Sequence, residues 1–472
     1  MKTIQKNTLL AILSANILFF LPVIIADVHY RDDLERSFSG SYGWTELGRP
    51  LADWIMKIIS LSDSLLVDTS PLPAIISIIS ITIAIYFYWQ RTDRTQSIWI
   101  AVGLCAISIQ PFFIQNILFK YDVLPMSLAL SFSIMASAMD IKKGKDIALS
   151  IILLVASLSL YQSCANVFIG LVALTAILKR ENSKSTINDI MHKTVIFIVG
   201  YVVYFIITKL FIDGLSSRSE LIPLNQDGFL ILLSNLISFM SFSVVFVNST
   251  VMTLLIVPLL SLLIALIYID KKSISLSIVN IVLISSIFLC SIFGPLVVLK
   301  TPAIMPRTLS GFGPLMAALC IAPMTVKPSA FSKFFLLLSL IIPISLSFST
   351  TRAIIEQRNF ETSVFNEIKY DLHSLNVGGK THFLGTLQLA QRASIPAINN
   401  ELVKNLISPA SEWMAALQLK SLGLKNISHG YGEENKNLSS VVKYEKEAGL
   451  PVIDKETYSI YMIDNDAYIK LK

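Results

Sequence analysis

The sequence predicts an all-α polytopic membrane protein followed by a small α/β domain, and three observations lead to this fold class. The 472 residues are 54% hydrophobic and 15% charged, whereas soluble globular proteins carry about 25% charged residues. Uncharged stretches that approach or exceed the roughly 20 helical residues needed to cross a bilayer recur up to position 350. After that position the chain has 14 basic and 14 acidic side chains, a composition typical of a soluble domain.

The uncharged stretches define the candidate spans in order. The first, residues 7–26, is longer than the 7 to 15 apolar residues of a cleavable signal peptide, so we interpret it as a retained span. The others are residues 69–90, 95–119, 123–139, 147–178, 228–269, 273–299, 308–326 and 334–351.

Two of these stretches leave the number of crossings open. Residues 147–178 lie between basic clusters, so the chain must enter the membrane and return, as two short spans turning at Tyr161-Gln162-Ser163 or as a re-entrant hairpin. We assign residues 229–247 to an interfacial or re-entrant helix and residues 251–269 to a span. The prediction is about 11 transmembrane helices, or 9 crossings if the hairpin is re-entrant.

The distribution of basic residues predicts the orientation, because Lys and Arg are enriched in cytoplasmic loops. With the N-terminus inside, 15 basic residues are cytoplasmic and 8 are external. The cytoplasmic set is Lys2, Lys6, Arg91, Arg94, Lys142, Lys143, Lys145, Lys179, Arg180, Lys184, Lys193, Lys271, Lys272, Lys327 and Lys333. The external set is Arg31, Arg36, Arg49, Lys57, Lys120, Arg218, Lys300 and Arg307. The net charge of +6 reflects this sorting and does not indicate nucleic-acid binding.

The predicted organisation is a transmembrane catalytic domain over residues 1–349, with its first external loop at residues 27–70, and an external α/β domain over residues 350–472. In the second domain, residue patterns predict a helix over 356–375, a strand over 381–386 and two helices within 401–422, broken at Ser408-Pro409. A further helix is predicted over 438–448 and strands over 458–471.

The first external loop has the most unusual polar composition. If the first helix continues outward, Asp32 and Arg36 are four residues apart and Asp33 and Arg36 are three apart, so one arginine can orient either acid. A nearby arginine lowers a carboxylate pKa and a membrane surface raises it, so such a site can be tuned. The alternative is a solvated loop with weak surface ion pairs. Residues 49–59 then predict a helix on the outer membrane surface.

Other external segments carry polar residues at the same membrane level. Lys120 and Asp122 lie in the second external loop, and Lys300 and Arg307 flank prolines in a third. Positioned cations of this kind can bind a phosphate, although snorkelling at a helix end is an alternative. Gln162 at the hairpin tip can hydrogen-bond a sugar or join two helices.

These patterns favour chemistry on the outer face over transport. A proton-coupled transporter or ion channel usually has charged residues within its spans, whereas here they gather at one surface. The chain has neither a GxxxxGK nor an HExxH motif, which suggests that the activated donor is itself a lipid. The alternatives from another class are a polysaccharide or lipid flippase or another transporter.

A family resemblance follows from the first loop. The stretch from Asp32 to Trp44, DDLERSFSGSYGW, followed by GRPLAD from Gly48 to Asp53, resembles the first periplasmic loop of the type II O-antigen glucosyltransferases. These are serotype-converting enzymes carried by temperate bacteriophages of enteric bacteria. Segments 119–122, 161–162 and 306–307 are also similar to that family. The resemblance covers the membrane portion in the order of its elements.

The resemblance implies a C-type membrane glycosyltransferase in the bacterial inner membrane, with its N-terminus cytoplasmic and its C-terminus periplasmic. Such an enzyme takes glucose from undecaprenyl phosphate glucose and attaches it, with inversion, to a sugar of the lipid-linked O-antigen. Its functional partners are a flippase for the glucosyl lipid and the synthase that makes it. The alternative enzyme is an O-antigen polymerase or ligase.

The site assignments follow from this implied reaction. Asp33 or Asp32 is the general base, and Arg36 orients it. The candidates for binding the donor phosphate are Arg49, Lys120, Lys300 and Arg307. The candidates for acceptor or sugar contact are Glu35, Asp53, Asp122 and Gln162. Some C-type enzymes use a divalent cation and others do not. Asp32, Asp33 and Asp122 could supply oxygen ligands to such a cation, although nothing in the sequence requires one.

Overall fold

The computed structural model describes residues 2–179, 183–212, 220–267, 274–429, 450–463 and 465–472. The chain divides into two compact units. Unit 1 comprises Met1–Asp27 and Ser41–Phe348, and unit 2 comprises Val28–Gly40 and Ser349–Lys472. Residues 28–40, part of the predicted first external loop, therefore group with the C-terminal residues.

The chain is mostly helical, with a small sheet near its C-terminus. The helices are α1 (Lys2–Ala26), α2 (Asp32–Ser39), α3 (Pro50–Ser60), α4 (Leu72–Thr92), α5 (Ile98–Leu104), α6 (Phe113–Leu118), α7 (Val123–Ser137), α8 (Gly144–Leu160), α9 (Gln162–Lys179), α10 (Ser183–Phe211), α11 (Gln226–Ser243), α12 (Ser249–Ile267), α13 (Ile274–Phe293), α14 (Gly313–Val326), α15 (Ala330–Ser374), α16 (Gln391–Asn399), α17 (Glu401–Leu406) and α18 (Glu412–Ser421). The strands are β1 (Thr381–Leu384), β2 (Ile453–Asp454), β3 (Tyr458–Ile463) and β4 (Asp466–Leu471).

Seven helices in the described part of the chain are long and apolar enough to cross a membrane, namely α1, α4, α9, α10, α12, α13 and α15. Three further apolar helical segments are shorter: Ile98–Ile107, Val123–Ser137 and Ser310–Val326. These helices identify a membrane protein, as the composition predicts. The count of 11 crossings stays a prediction.

The helices of unit 1 have two distinct polar ends. We call the end at Leu72, Val123 and Gln162, where α4, α7 and α9 begin, the loop end. We call the end at Thr92, Ser137 and Lys179, where the same helices finish, the basic end. The starts of α4 and α7 are adjacent, because the Ser77 hydroxyl donates to the Val123 carbonyl at 3.2 Å. Their other ends meet where Arg91 contacts Met139.

The hairpin within residues 147–178 turns at the predicted residues. Helix α8 ends at Leu160, Tyr161 has an extended backbone, and α9 begins at Gln162. Lys143, just before α8, and Lys179, the last residue of α9, line the same cavity at the basic end. The hairpin therefore runs from the basic end to Tyr161 and back.

Residues 95–119 differ from the single span that their hydropathy predicts. They form α5, a short 3-10 helix (Cys105–Ile107) and α6, separated by a non-helical segment. Pro111 has no backbone N–H to continue a helix, and the Gln110 side chain instead accepts a hydrogen bond from the Phe112 N–H at 2.9 Å. Buried Ser108 donates to the Asn16 side chain of α1 at 2.9 Å. These two hydrogen bonds satisfy some of the polar groups that lack a helical partner at the break.

Two helix boundaries also differ from the sequence expectation. The first helix does not continue outward, because α1 ends at Ala26 and α2 begins separately at Asp32. Helix α15 is one continuous helix of 45 residues through position 350, where the composition changes. Hydropathy locates the end of an apolar stretch, whereas a helix ends where its backbone hydrogen bonds end.

Unit 2 contains a four-stranded mixed sheet with the order β1-β4-β3-β2. One face of the sheet forms a hydrophobic core with α15 and α18, in which Phe365, Met414, Ile460 and Ile469 are buried. Leu34 of α2 belongs to the same core. The predicted strands at 381–386 and 458–471 and the two helices within 401–422 are confirmed. The predicted helix at 438–448 lies outside the described residues.

Candidate functional site

The segment from Trp44 to Asp53 forms a tight turn at the loop end of unit 1. Thr45–Leu47 is a 3-10 helix that ends at Gly48, whose φ of 76° favours glycine. Asp53, in the first turn of α3, accepts hydrogen bonds from the backbone N–H of Trp44 at 3.2 Å and of Thr45 at 2.6 Å. Asp53 therefore holds the turn on which Arg49 is placed.

Arg49 is fixed by residues from the break between α8 and α9. Its Nε donates to Gln162 Oε1 at 3.0 Å, and its guanidinium lies 4.5 Å from the centre of the Tyr161 ring. Gln162 Nε2 donates to the Gly48 carbonyl at 3.3 Å and to the Tyr204 hydroxyl of α10 at 2.9 Å. The Tyr204 hydroxyl donates to the same Gly48 carbonyl at 2.8 Å. These contacts restrict the position of the Arg49 guanidinium.

Arg307 reaches the same region from the segment before α14. Its guanidinium lies 4.8 Å from the centre of the Phe119 ring, and its backbone N–H donates to Gln115 Oε1 at 2.9 Å. The Tyr161 hydroxyl donates to the Arg307 carbonyl at 3.3 Å. Tyr161 therefore contacts both arginine residues, one through its ring and one through its hydroxyl.

Asp122 is a buried carboxylate close to these arginines. It is 5% exposed, and its Oδ1 accepts a hydrogen bond from the Trp44 indole at 2.6 Å. Burial lowers the pKa of Arg49, and the positive charge of Arg307 lowers it further. Tyr161 and, to a smaller extent, Asp122 raise the same pKa. The charges of Asp122 and Arg307 thus both act on Arg49. We call Arg49, Asp122, Tyr161, Gln162 and Arg307 the arginine cluster.

The arginine cluster has the properties of an anion site. Arg49 forms no ion pair with any described residue, and Gln162 occupies only its Nε. Planar guanidinium groups bind phosphate oxygens through paired, charge-assisted hydrogen bonds. Because a partly buried guanidinium without a counter-ion is costly, an anion at this position would be favourable.

The other two residues predicted to bind the phosphate are both lysines, and both have carboxylate partners. Lys120 Nζ lies 2.6 Å from Asp27 and 3.6 Å from Asp68, so it connects the end of α1 to the segment before α4. Lys300 Nζ lies 3.3 Å from Glu220, and both side chains are more than half exposed. The Lys300 pair is therefore a surface ion pair, which contributes little to stability.

The predicted acid pair lies on α2, in unit 2. Asp33 is fully buried, and its Oδ2 accepts a hydrogen bond from the Tyr30 N–H at 3.1 Å at the start of the helix. A carboxylate there is stabilised by the helix dipole. Asp32 and Glu35 are exposed, and Asp32 and Arg36 keep the predicted four-residue spacing on the helix. The catalytic roles of these residues stay predictions.

Two residues near the arginine cluster were not predicted as site residues. Trp44 lies within the quoted first-loop motif, but only the structure shows its indole bound to Asp122. Tyr204 lies in an apolar span with no distinguishing pattern around it. Among the described residues, no group of three or more His, Cys, Asp or Glu side chains could hold a metal ion.

Comparison with known proteins adds independent information. Residues 21–321 match the family model described as glucosyl transferase GtrII, and this range includes every member of the arginine cluster. A protein of Salmonella phage P22, described as an uncharacterized 55.3 kDa protein in the gtrB 5' region, is 29% identical over 423 residues. The matched residues cover 84% of this chain and 86% of the phage protein. No solved structure matches the chain with significance.

Proposed function

The chain belongs to the GtrII glucosyl transferase family, and on this premise we propose that it transfers glucose from undecaprenyl phosphate glucose to a sugar of the lipid-linked O-antigen. The observation that carries this proposal is the arginine cluster. Arg49 and Arg307 come from segments far apart in the sequence, and Tyr161 contacts both of them. Family membership favours transfer over the alternatives of transport and polymerisation.

In the proposed reaction, the cluster binds the phosphate that leaves. The acceptor hydroxyl attacks the anomeric carbon of glucose as the bond from that carbon to the phosphate oxygen breaks, with inversion. The electron pair of the broken bond stays on undecaprenyl phosphate, whose negative charge increases. Guanidinium groups already held at this position stabilise that charge without rearranging.

The reaction also needs a general base for the acceptor proton. Asp32 and Asp33 remain the proposed candidates, with Arg36 orienting the base. The buried hydrogen bond of Asp33 to the Tyr30 N–H favours exposed Asp32 for direct contact with a substrate. Asp122, which accepts the Trp44 indole hydrogen bond through Oδ1, is the alternative base within the arginine cluster.

We further propose that the loop end faces the periplasm and that the protein has the C-type fold. Five described basic residues of the predicted cytoplasmic set, Arg91, Lys142, Lys143, Lys179 and Lys193, line one cavity at the opposite end. This grouping supports the orientation that the positive-inside rule predicts. The glucosyl lipid would then be made in the cytoplasm by a synthase and delivered by a flippase.

The test uses the full-length protein expressed with a glucosyl-lipid synthase and flippase in cells that make O-antigen. Mass and linkage analysis of the lipopolysaccharide should show one added glucose per modified repeat. Arg49→Gln should reduce this addition roughly tenfold or more at equal membrane protein level, because a charge-assisted contact contributes about 1.5–3 kcal/mol.

The matched control is Lys57→Gln, which removes a cation of the same loop that lies over the Tyr42 ring. We expect it to keep near-normal activity. Normal addition by the Arg49→Gln variant would show that the arginine cluster does not bind the donor phosphate. Absence of any glucose addition by the wild-type protein would contradict the proposed reaction itself.

A further inference from the structure

A cavity of about 410 Å³ opens at the basic end of unit 1. Its lining includes five basic residues, Arg91, Lys142, Lys143, Lys179 and Lys193, and two acidic residues, Asp140 and Asp189. Cavities of about 300–1,000 Å³ are typical of small-molecule sites. This cavity lies at the far end of the helices from the arginine cluster, so the proposed transfer reaction does not use it.

Lys193 gives the cavity a fixed cation. The residue is 8% exposed, and its Nζ donates to the Ser137 carbonyl at 2.9 Å and the Met139 carbonyl at 2.6 Å. An ammonium group has three N–H donors, and two of those of Lys193 are used by these carbonyls. The third N–H can donate to a further acceptor. The two carbonyls fix the ammonium group at the end of α7.

The remaining charges leave the cavity positive. Arg91 pairs with Asp146 at 3.1 Å, and Lys143 lies 3.8 Å from Asp140. Lys142 and Lys179 form no ion pair with any described residue. Basic residues at helix C-termini offset the helix dipole, which accounts for Arg91 and Lys179 in the last turns of their helices. The helix dipole does not explain Lys142, which also lines the cavity but lies between α7 and α8.

We infer that this cavity binds the phosphate headgroup of an anionic membrane phospholipid. It lies where α4 and α9 end and where α10 begins, and all three are long and apolar enough to cross a membrane. Phospholipid headgroups lie at this depth, and basic pockets between transmembrane helices bind anionic headgroups. Free phosphate has the same charged group but lacks the acyl chains that would keep it at the membrane.

The first test measures lipid retention. Full-length protein is taken from vesicles of phosphatidylglycerol and phosphatidylcholine into detergent, and the retained lipids are identified by native mass spectrometry. We expect selective retention of phosphatidylglycerol. Each cation near the surface strengthens such binding about fivefold, so Lys142→Gln with Lys179→Gln should weaken it about 25-fold.

The control variant, Lys327→Gln with Lys333→Gln, removes two other basic residues of the predicted cytoplasmic set and should leave retention unchanged. Equal loss in both double variants would show that net charge, and not the cavity, attracts the lipid. No preference of the wild-type protein for phosphatidylglycerol would also overturn the inference.

A second measurement on the wild-type protein does not depend on any variant folding. A water-soluble acylating reagent is applied, and modification of Lys142, Lys179 and Lys327 is followed by mass spectrometry. Phosphatidylglycerol vesicles should slow acylation of Lys142 and Lys179 but not of Lys327, relative to phosphatidylcholine vesicles. Equal protection by inorganic phosphate in detergent would assign the site to free phosphate and contradict the lipid assignment.

Discussion

At the scale of single residues, Gln162 determines where the Arg49 guanidinium lies. Its Oε1 accepts from Arg49, while its Nε2 donates to the carbonyls of Leu47 and Gly48. One amide therefore orients both the arginine and the turn that carries it. We interpret Gln162 as a positioning residue for the proposed phosphate site, in addition to its predicted contact with a sugar.

Gln162→Glu should weaken binding of the lipid donor. The new carboxylate keeps the side-chain size but forms an ion pair with Arg49, which would then compete with the phosphate for the guanidinium. We expect the apparent KM for the glucosyl lipid to rise roughly tenfold, with kcat affected less, as follows for a loss of ground-state binding. Gln90→Glu, at an exposed position of α4, is the control. A fall in kcat alone would argue against competition for Arg49.

Three asparagine substitutions separate the candidate bases. Asp32→Asn, Asp33→Asn and Asp122→Asn keep side-chain size and remove basicity, so loss of the base should lower glucose transfer at least about 10²-fold. Donor binding should survive in the base variant, because the base acts on the acceptor hydroxyl. Asp63→Asn, at an exposed site of the first loop, is the control. Normal transfer by all three variants would exclude the proposed bases.

Sequence patterns identify the candidate site residues better than they identify the residues that contact them. Arg49, Asp122, Gln162 and Arg307 stand out because polar residues at a membrane-level loop are unusual, and the structure brings these four together. Asp33 appears equivalent to Asp32 in a spacing argument, yet only Asp33 is buried at the helix start. Burial of one of two adjacent acids depends on tertiary packing, here of Leu34 into the core of unit 2.

At the scale of elements, the break within residues 95–119 depends on buried polar contacts with α1. Asn16 accepts from the Ser108 hydroxyl at 2.9 Å and donates to the Thr82 hydroxyl at 3.4 Å. Hydropathy averages over such residues and so predicts one continuous span. The contacts join three segments that are distant in sequence, which a single-sequence pattern does not show.

Asn16→Ala should destabilise unit 1, because it removes the hydrogen bonds that join α1 to Ser108 and Thr82. Polar contacts between membrane helices contribute about 0.6–2 kcal/mol, so we expect a lower midpoint of thermal unfolding in detergent. Asn7→Ala lies at an exposed position of the same helix and should leave the midpoint unchanged. Identical midpoints for the two variants would show that Asn16 does not hold the broken helix.

At the scale of the whole molecule, the orientation depends on how the chain passes through residues 226–243. Helix α11 packs, at its middle and near its end, against segments that lead to residues of the arginine cluster. Asn235 donates to the carbonyls of Val297 and Leu299 at 2.9 Å each. Near its end, Phe242 lies 6.2 Å, ring centre to ring centre, from Phe112 of the broken segment. This path favours an interfacial or re-entrant helix over a crossing.

Topology reporters test this path directly, because each additional crossing inverts the side of everything that follows it. Fusions at Lys143 and Lys327 should report the cytoplasm, and fusions at Ser41 and Lys472 the periplasm. A periplasmic signal at Lys327 together with a cytoplasmic signal at Lys472 would mean that α11 crosses the bilayer. The first loop and the segment that carries Arg307 would then lie on opposite sides, although Tyr161 contacts both Arg49 and Arg307. The geometry of the arginine cluster therefore favours a path in which α11 does not cross.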